Sequence, residues 1–195
     1  MPITIQWISA FVLIITSVLL VYDLEWQVNA GLLGLQFFAV FIMLLVFWPL
    51  NLSGSFFITS WVSILILTIS LNQSSKGTII KINFLSFEKI FHLLTALLLL
   101  VVIMTSYKSL ANWFPSASSP LLISSLSLIF LGFLTIAFAK SIERILTGLL
   151  SFLAGFEITF TQVDNSILMV TLVCSTILLL TLIGTYLLQL EEQIT

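Results

Sequence analysis

Charged residues are scarce in this sequence. Its 195 residues include six Lys and Arg, eight Asp and Glu and a single His; charged residues make up 7% and hydrophobic residues 60%. Soluble proteins carry about 25% charged residues, and a chain of this size with so few charges lacks the polar surface that a water-soluble fold needs. The scarcity excludes an ordinary soluble domain and favours an integral membrane protein, whose exterior is solvated by lipid.

Basic residues and cysteine are too few for several common kinds of site. Six basic residues do not form a patch that neutralises a run of phosphates, so we expect no nucleic-acid partner. The single cysteine, Cys174, excludes an intrachain disulfide and any CxxC metal or redox motif. The sequence also has no Walker A, HExxH, GxSxG or haem-type His pair. We therefore expect no metal and no cofactor.

Long apolar runs fill most of the chain. An apolar helix needs about 20 residues to cross about 30 Å of hydrocarbon. The sequence predicts an all-α polytopic transmembrane bundle of about seven helices. The first run has no basic n-region and no clear cleavage site, so we interpret it as a retained helix. The predicted spans are Ile3 to Tyr22, Ala30 to Trp48, Gly54 to Leu71, Ile90 to Tyr107, Leu121 to Ala139, Ile142 to Phe160 and Ser166 to Leu190.

Polar and proline-containing stretches separate these spans. Pro49 is expected to stop the second helix, with a short turn at 51–53 after it. The polar stretch 72–89 predicts a loop with a short amphipathic piece at the membrane surface. The Pro/Ser-rich stretch 115–120 predicts a connector. The last three spans are joined by very short turns, which predicts antiparallel neighbours. We divide the chain into a four-helix part, 1–118, and a three-helix part, 119–195.

The basic residues predict the orientation, because Lys and Arg near helix ends are retained on the cytoplasmic side. With seven spans, only Lys108 lies on the opposite side from the others. This places the N-terminus outside and the C-terminus in the cytoplasm, in the cell inner (plasma) membrane or an internal energy-transducing membrane. The residues on the predicted cytoplasmic side are Lys76, Lys81, Lys89, Lys140 and Arg144.

Glu157 is the leading candidate for chemistry inside the membrane. It lies about 15 residues into the sixth span, roughly 22 Å along the helix axis and about one turn from its exit. Intramembrane carboxyl groups are costly and commonly functional, so one interpretation is a proton relay facing the bundle. The other is an interfacial Glu that reaches headgroup water or hydrogen-bonds Thr161 or Gln162.

His92 and Glu88 form a second candidate. They are four residues apart at the start of the fourth span, where imidazole and carboxylate can face each other on a helix. A proton entry site is one interpretation, and a structural interfacial histidine is the other, because no second His or Cys completes a ligand set.

Small residues recur on the sixth span at Gly148, Ser151 and Gly155, with spacings of three and four. Such spacing allows close helix packing. The pattern leaves open whether the partner is another helix of this chain or another subunit.

One stretch carries a family resemblance. The residues AKSIERILTGLLSFLAG, at 139–155, resemble the second-helix entry of the K subunit of bacterial complex I and of its relatives in Mrp antiporters and hydrogenase-4. Lys140-Ser141 stands where the family has a basic-Asn pair, and Arg144-Ile145-Leu146 and Gly148 follow its pattern. The whole chain is similar in architecture to membrane component E of hydrogenase-4, with Gln36 where that family has a helix-two Gln.

The sequence departs from that family at the membrane carboxylates. The corresponding positions are Leu150 and Leu153, and no carboxylate lies between Ser166 and Leu190. The resemblance therefore implies an accessory subunit without a catalytic centre of its own, which packs against antiporter-like membrane subunits in an ion-translocating assembly and kept the scaffold but lost the conduction. The alternative is a relay relocated to Glu157, the leading candidate for any proton transfer.

Two other classes stay open. A stand-alone small transporter or channel should show an internal repeat or helices broken near the midplane, and the sequence shows neither. A membrane enzyme needs polar residues clustered at one depth, for which Glu88 and His92 are the only pair.

Overall fold

Seven α-helices make up the described structure. The computed structural model describes residues 3–22, 24–74, 87–111, 118–162 and 166–194, and these residues contain no β-strand. The helices are α1 (Ile3–Val21), α2 (Trp26–Leu44), α3 (Leu50–Ser74), α4 (Phe87–Ala111), α5 (Ser119–Ala137), α6 (Ile142–Phe160) and α7 (Ile167–Ile194). The predicted all-α class and the number of helices are confirmed for these residues.

Six of these helices are long and apolar enough to cross a membrane, which indicates a multi-pass membrane protein. The exception is α6, which contains Glu143, Arg144 and Glu157 within 19 residues. Large aliphatic and aromatic side chains cover the outer faces of the bundle, especially on α1, α4 and α7. Such a surface is unfavourable in water and favourable in lipid.

Six helices form a closed ring in the order α1, α2, α3, α7, α6, α5, in which each helix packs against the next. Inside the ring, α2 also contacts α6. The fourth helix lies outside, against α5 and α1, and is the least buried of the six apolar helices. Because α3 packs on α7 and α1 on α5, the two predicted parts, 1–118 and 119–195, pack closely together; their status as separate domains stays a prediction.

Glycines bring α5 and α6 into close contact. A Cβ added to Gly155 would lie 2.9 Å from the carbonyl oxygen of Ser125 and 2.7 Å from Cβ of Leu128. A Cβ added to Gly148 would lie 2.8 Å from the carbonyl oxygen of Gly132. Because backbone atoms of α5 occupy this space, only glycine fits at these positions. Small residues are a general means of close packing between membrane helices.

The boundary between α2 and α3 differs from the prediction. The second helix runs from Trp26 to Leu44 and not from Ala30 to Trp48, although hydrogen-bonded turns continue as far as the Trp48 N–H, 2.9 Å from the Leu44 carbonyl oxygen. The predicted turn at 51–53 is wrong, because α3 begins at Leu50. Pro49 is compatible with a helix start, where its missing N–H needs no partner, and its carbonyl accepts from the N–H groups of Leu52 and Ser53 at 3.1 and 3.3 Å.

The predicted loop at 72–89 is partly helical, since α3 extends to Ser74 and α4 begins at Phe87. The amphipathic piece predicted within it falls on 75–86, outside the described residues, as do residues 112–117 of the connector before α5. The prediction of α6, Ile142 to Phe160, agrees with the structure at both ends.

Candidate functional site

The Glu157 side chain lies inside the bundle. It is 1% exposed, and neither carboxyl oxygen has a hydrogen-bond partner within the part of the chain that the structure describes. An ionisable group without a partner is costly to bury, and in membrane proteins such groups mark ion or proton pathways. Of the two interpretations of the sequence, the one in which Glu157 faces the bundle agrees with this placement.

The hydrogen bonds expected in the other interpretation are made by different atoms. The Thr161 hydroxyl donates to the backbone carbonyl of Glu157 at 2.8 Å, and the Gln162 amide donates to the carbonyl of Ile158 at 3.2 Å. Both bonds satisfy carbonyls at the end of α6, which have no partner within the helix. The carboxyl group of Glu157 therefore stays without these two partners.

Glu157 is held inside the bundle by the packing of α6, which contacts α5, α7 and α2. We call the buried carboxyl group of Glu157 the carboxyl site.

A second buried polar group lies between α6 and α2. The Ser151 hydroxyl donates to the side-chain oxygen of Gln36 at 3.1 Å, and both residues are buried. This pair joins α6 to α2 across the ring. Ser151 precedes Glu157 by six residues, so the pair lies about 9 Å from the carboxyl site along the α6 axis.

Two more polar atoms in this region have no partner among the described residues. They are the amide nitrogen of Gln36 and the hydroxyl of Ser63 on α3, and both residues are 0% exposed. Most buried polar atoms in proteins are hydrogen-bonded to protein or to ordered water, so a group of exceptions is a feature to be explained. Together with Glu157 they form a set of buried polar groups on α2, α3 and α6.

Of the described basic residues, Lys89, Lys140 and Arg144 lie at one end of the bundle, which we call the basic end, and Lys108 lies in the last turn of α4, at the other end. The buried Arg144 guanidinium donates to the carbonyl of Val21 at 3.0 Å and so ties α6 to the last residue of α1. The Lys89 amine lies 5.6 Å from the centre of the Tyr22 ring, within the range of a cation–π contact. The start of α4, the end of α1 and the start of α6 therefore meet here.

His92 also lies at the basic end. Its ring stacks on Phe138, with ring centres 4.1 Å apart and planes inclined by 14°, and it is 6% exposed. Glu88 lies in the first turn of α4, but its side chain is outside the described part of the structure. Because α4 and α6 both start at the basic end, His92 and Glu157 differ in depth by about ten residues, roughly 15 Å. The structure therefore does not bring these two candidates together.

The small residues of α6 pack within this chain. Gly148 and Gly155 face α5, whereas Ser151 bonds Gln36 on α2. The three residues thus serve two different helix contacts. The sequence left open whether these residues pack within the chain or against another subunit. In the structure they pack against other helices of this chain.

Metal-ligating residues do not cluster in the described ranges, where no group of three or more His, Cys, Asp or Glu is close enough to hold a metal ion.

The sequence indicates an interhelical hydrogen bond as the default role of Gln36, a polar residue inside an apolar run, and helix packing as the role of Ser151. It does not identify the two residues as partners, because the pattern of one helix does not show which side chain of another helix it meets.

Comparisons of the chain with protein-family models, with curated proteins and with solved structures give no match.

Proposed function

We propose that this chain is a non-catalytic membrane subunit of an ion-translocating assembly of the complex-I-like, Mrp-like or hydrogenase-like kind, and that it packs against antiporter-like membrane subunits. The observation that carries the proposal is the carboxyl of Glu157, which is buried inside the bundle on α6 without a hydrogen-bond partner in the described residues. A carboxyl group takes up and releases a proton at its own oxygens, which is the chemistry of a relay.

Two further features support this role. The polar atoms of Gln36, Ser63 and Ser151 extend the polar interior from the carboxyl site towards the basic end. Hydroxyl and amide groups of this kind hydrogen-bond readily to a buried water or to each other, as a proton path requires. The outer surface, by contrast, is apolar along α1, α4 and α7 and is suited to lipid or to other membrane helices.

The proposal includes α6 as a seventh span, with the N-terminus outside and the basic end in the cytoplasm. A helix with three charged residues crosses hydrocarbon at lower cost when its neighbours surround it. Here α6 packs against α5, α7 and α2, and its charged residues are either buried, as Arg144 and Glu157 are, or at its start.

Co-purification tests membership of an assembly. A tagged copy of the chain is expressed in its native membrane at its natural level, extracted in a mild detergent and purified, and the accompanying proteins are identified. We expect large multi-pass subunits of antiporter type in stoichiometric amounts. If the chain emerges alone or as a homo-oligomer, the subunit proposal is wrong, and a stand-alone transporter or channel, tested by ion flux in liposomes, takes its place.

A further inference from the structure

Two grooves run along opposite sides of α1 in the half of the bundle away from the basic end. The first, of about 440 Å³, lies between α1, α4 and α5 and is bordered by Phe11, Met104 and Ile123. The second, of about 320 Å³, lies between α1 and α2 and is bordered by Leu35 and Phe38. Ile8 and Val12 border both grooves, so the two lie at the same depth.

The grooves are apolar. Every residue that borders the first is apolar or aromatic, and the second contains one hydroxyl, that of Ser9. This hydroxyl already donates to the carbonyl of Ala39 at 2.7 Å. A polar ligand would therefore lose its hydrogen bonds with water on entering either groove, at a cost that nothing in the lining offsets.

The dimensions of the grooves fit the chains of a lipid. They extend along α1 from residue 7 to 14 and from residue 5 to 12, about 10 Å in each case. One leaflet contributes about 15 Å of hydrocarbon, so both grooves lie within the leaflet nearest the N-terminus. Trp7 borders the first groove at the end where a headgroup would lie, the level at which indole rings are enriched.

A helix from another protein fits less well. Each groove extends about 10 Å along α1, about two turns of the five or six that a span contains, so a spanning helix would meet a groove along only part of its length. Because α1 stands between the grooves, a single helix cannot enter both. Two flexible acyl chains joined at one headgroup can enter both grooves.

We propose that one two-chain phospholipid binds across α1, with one acyl chain in each groove and its headgroup beside Trp7. The lipid fills space that would otherwise lack contact atoms and thereby stabilises the packing of α1 against α2, α4 and α5. This inference rests on the membrane location of the apolar helices and is independent of any ion translocation.

The test uses two matched substitutions on exposed positions of α1. Ile8 is 65% exposed and borders both grooves, whereas Ile15 is 42% exposed and borders neither. Native mass spectrometry of the protein, in whatever complex it is extracted, measures the number of phospholipids retained per chain. We expect about one for the wild type and for Ile15→Trp, and about a tenfold lower occupancy for Ile8→Trp, because the larger ring obstructs the chains.

Equal occupancy in the two variants, or a wild type without bound phospholipid, would overturn the proposal. A photoreactive amino acid at position 8, activated in native membranes, identifies the occupant directly. Cross-links to phospholipid are the expected result, and cross-links to a second copy or to another protein would also overturn it.

Discussion

Individual polar residues in the interior differ in what they contribute to stability. Ser151 and Ser63 are both buried, yet only Ser151 has a partner, Gln36, among the described residues. Hydrogen bonds between membrane helices are worth about 0.6 kcal/mol on average and at most about 1.7 kcal/mol. Replacing each serine by alanine and comparing the two effects on stability therefore measures the contribution of the hydrogen bond between Ser151 and Gln36.

We expect Ser151→Ala to lower the free energy of unfolding by about 0.6 to 1.7 kcal/mol, and Ser63→Ala to leave it nearly unchanged. Reversible unfolding in detergent, followed by tryptophan fluorescence, measures both variants against the wild type. Equal effects of the two substitutions would show that the bond between Ser151 and Gln36 does not join α6 to α2 as described.

Glycines decide how closely α5 and α6 approach. An added Cβ at Gly155 would meet backbone atoms of α5, whereas an added Cβ at Gly54 on α3 would meet nothing within 4 Å. Overpacking of a tight contact costs about 1–3 kcal/mol, and replacing Gly by Ala in an open helix position gains up to about 1 kcal/mol.

The expected outcome is that Gly155→Ala lowers the thermal transition of the detergent-extracted protein and that Gly54→Ala leaves it unchanged or raises it. Size-exclusion chromatography after heating measures both. A Gly155→Ala variant as stable as the wild type would mean that α5 and α6 are further apart than the structure has them.

Helices were easier to predict from the sequence than their ends and contacts. The last three were found because polar residues and short turns bound each apolar run, and α6 agrees at both ends. The end of α2 was placed four residues too late, because the run towards Pro49 is apolar throughout and hydropathy does not show where the helix stops. The sequence located Glu157 on its helix but left open whether the side chain faces the bundle, because burial depends on which helices pack against α6.

For the whole molecule, the number of spans decides the topology. Six apolar helices alone would put both termini on one side of the membrane, whereas α6 as a seventh span puts them on opposite sides. Lys89, Lys140 and Arg144 share one side in either case, because only the two spans α4 and α5 separate them. The span assigned to α6 rests instead on its 19-residue length and on its packing against α5, α7 and α2.

We expect a C-terminal reporter to be active only in the cytoplasm and an N-terminal tag to be accessible only from outside. Protease protection of sealed vesicles of known orientation measures both ends. Termini on the same side would contradict the span assigned to α6 and, with it, the depth of Glu157 in the membrane.

Proton translocation by the co-purified assembly tests the central claim most directly. The wild type, Glu157→Gln and a control, Glu25→Gln, are compared in liposomes with an internal pH-sensitive dye; Glu25 precedes α2 and makes no side-chain cap bond there. The account predicts that Glu157→Gln assembles normally and loses most of its translocation, that Glu157→Asp retains part of it, and that Glu25→Gln matches the wild type. Translocation by Glu157→Gln at the wild-type rate would contradict the relay and leave this chain as a scaffold.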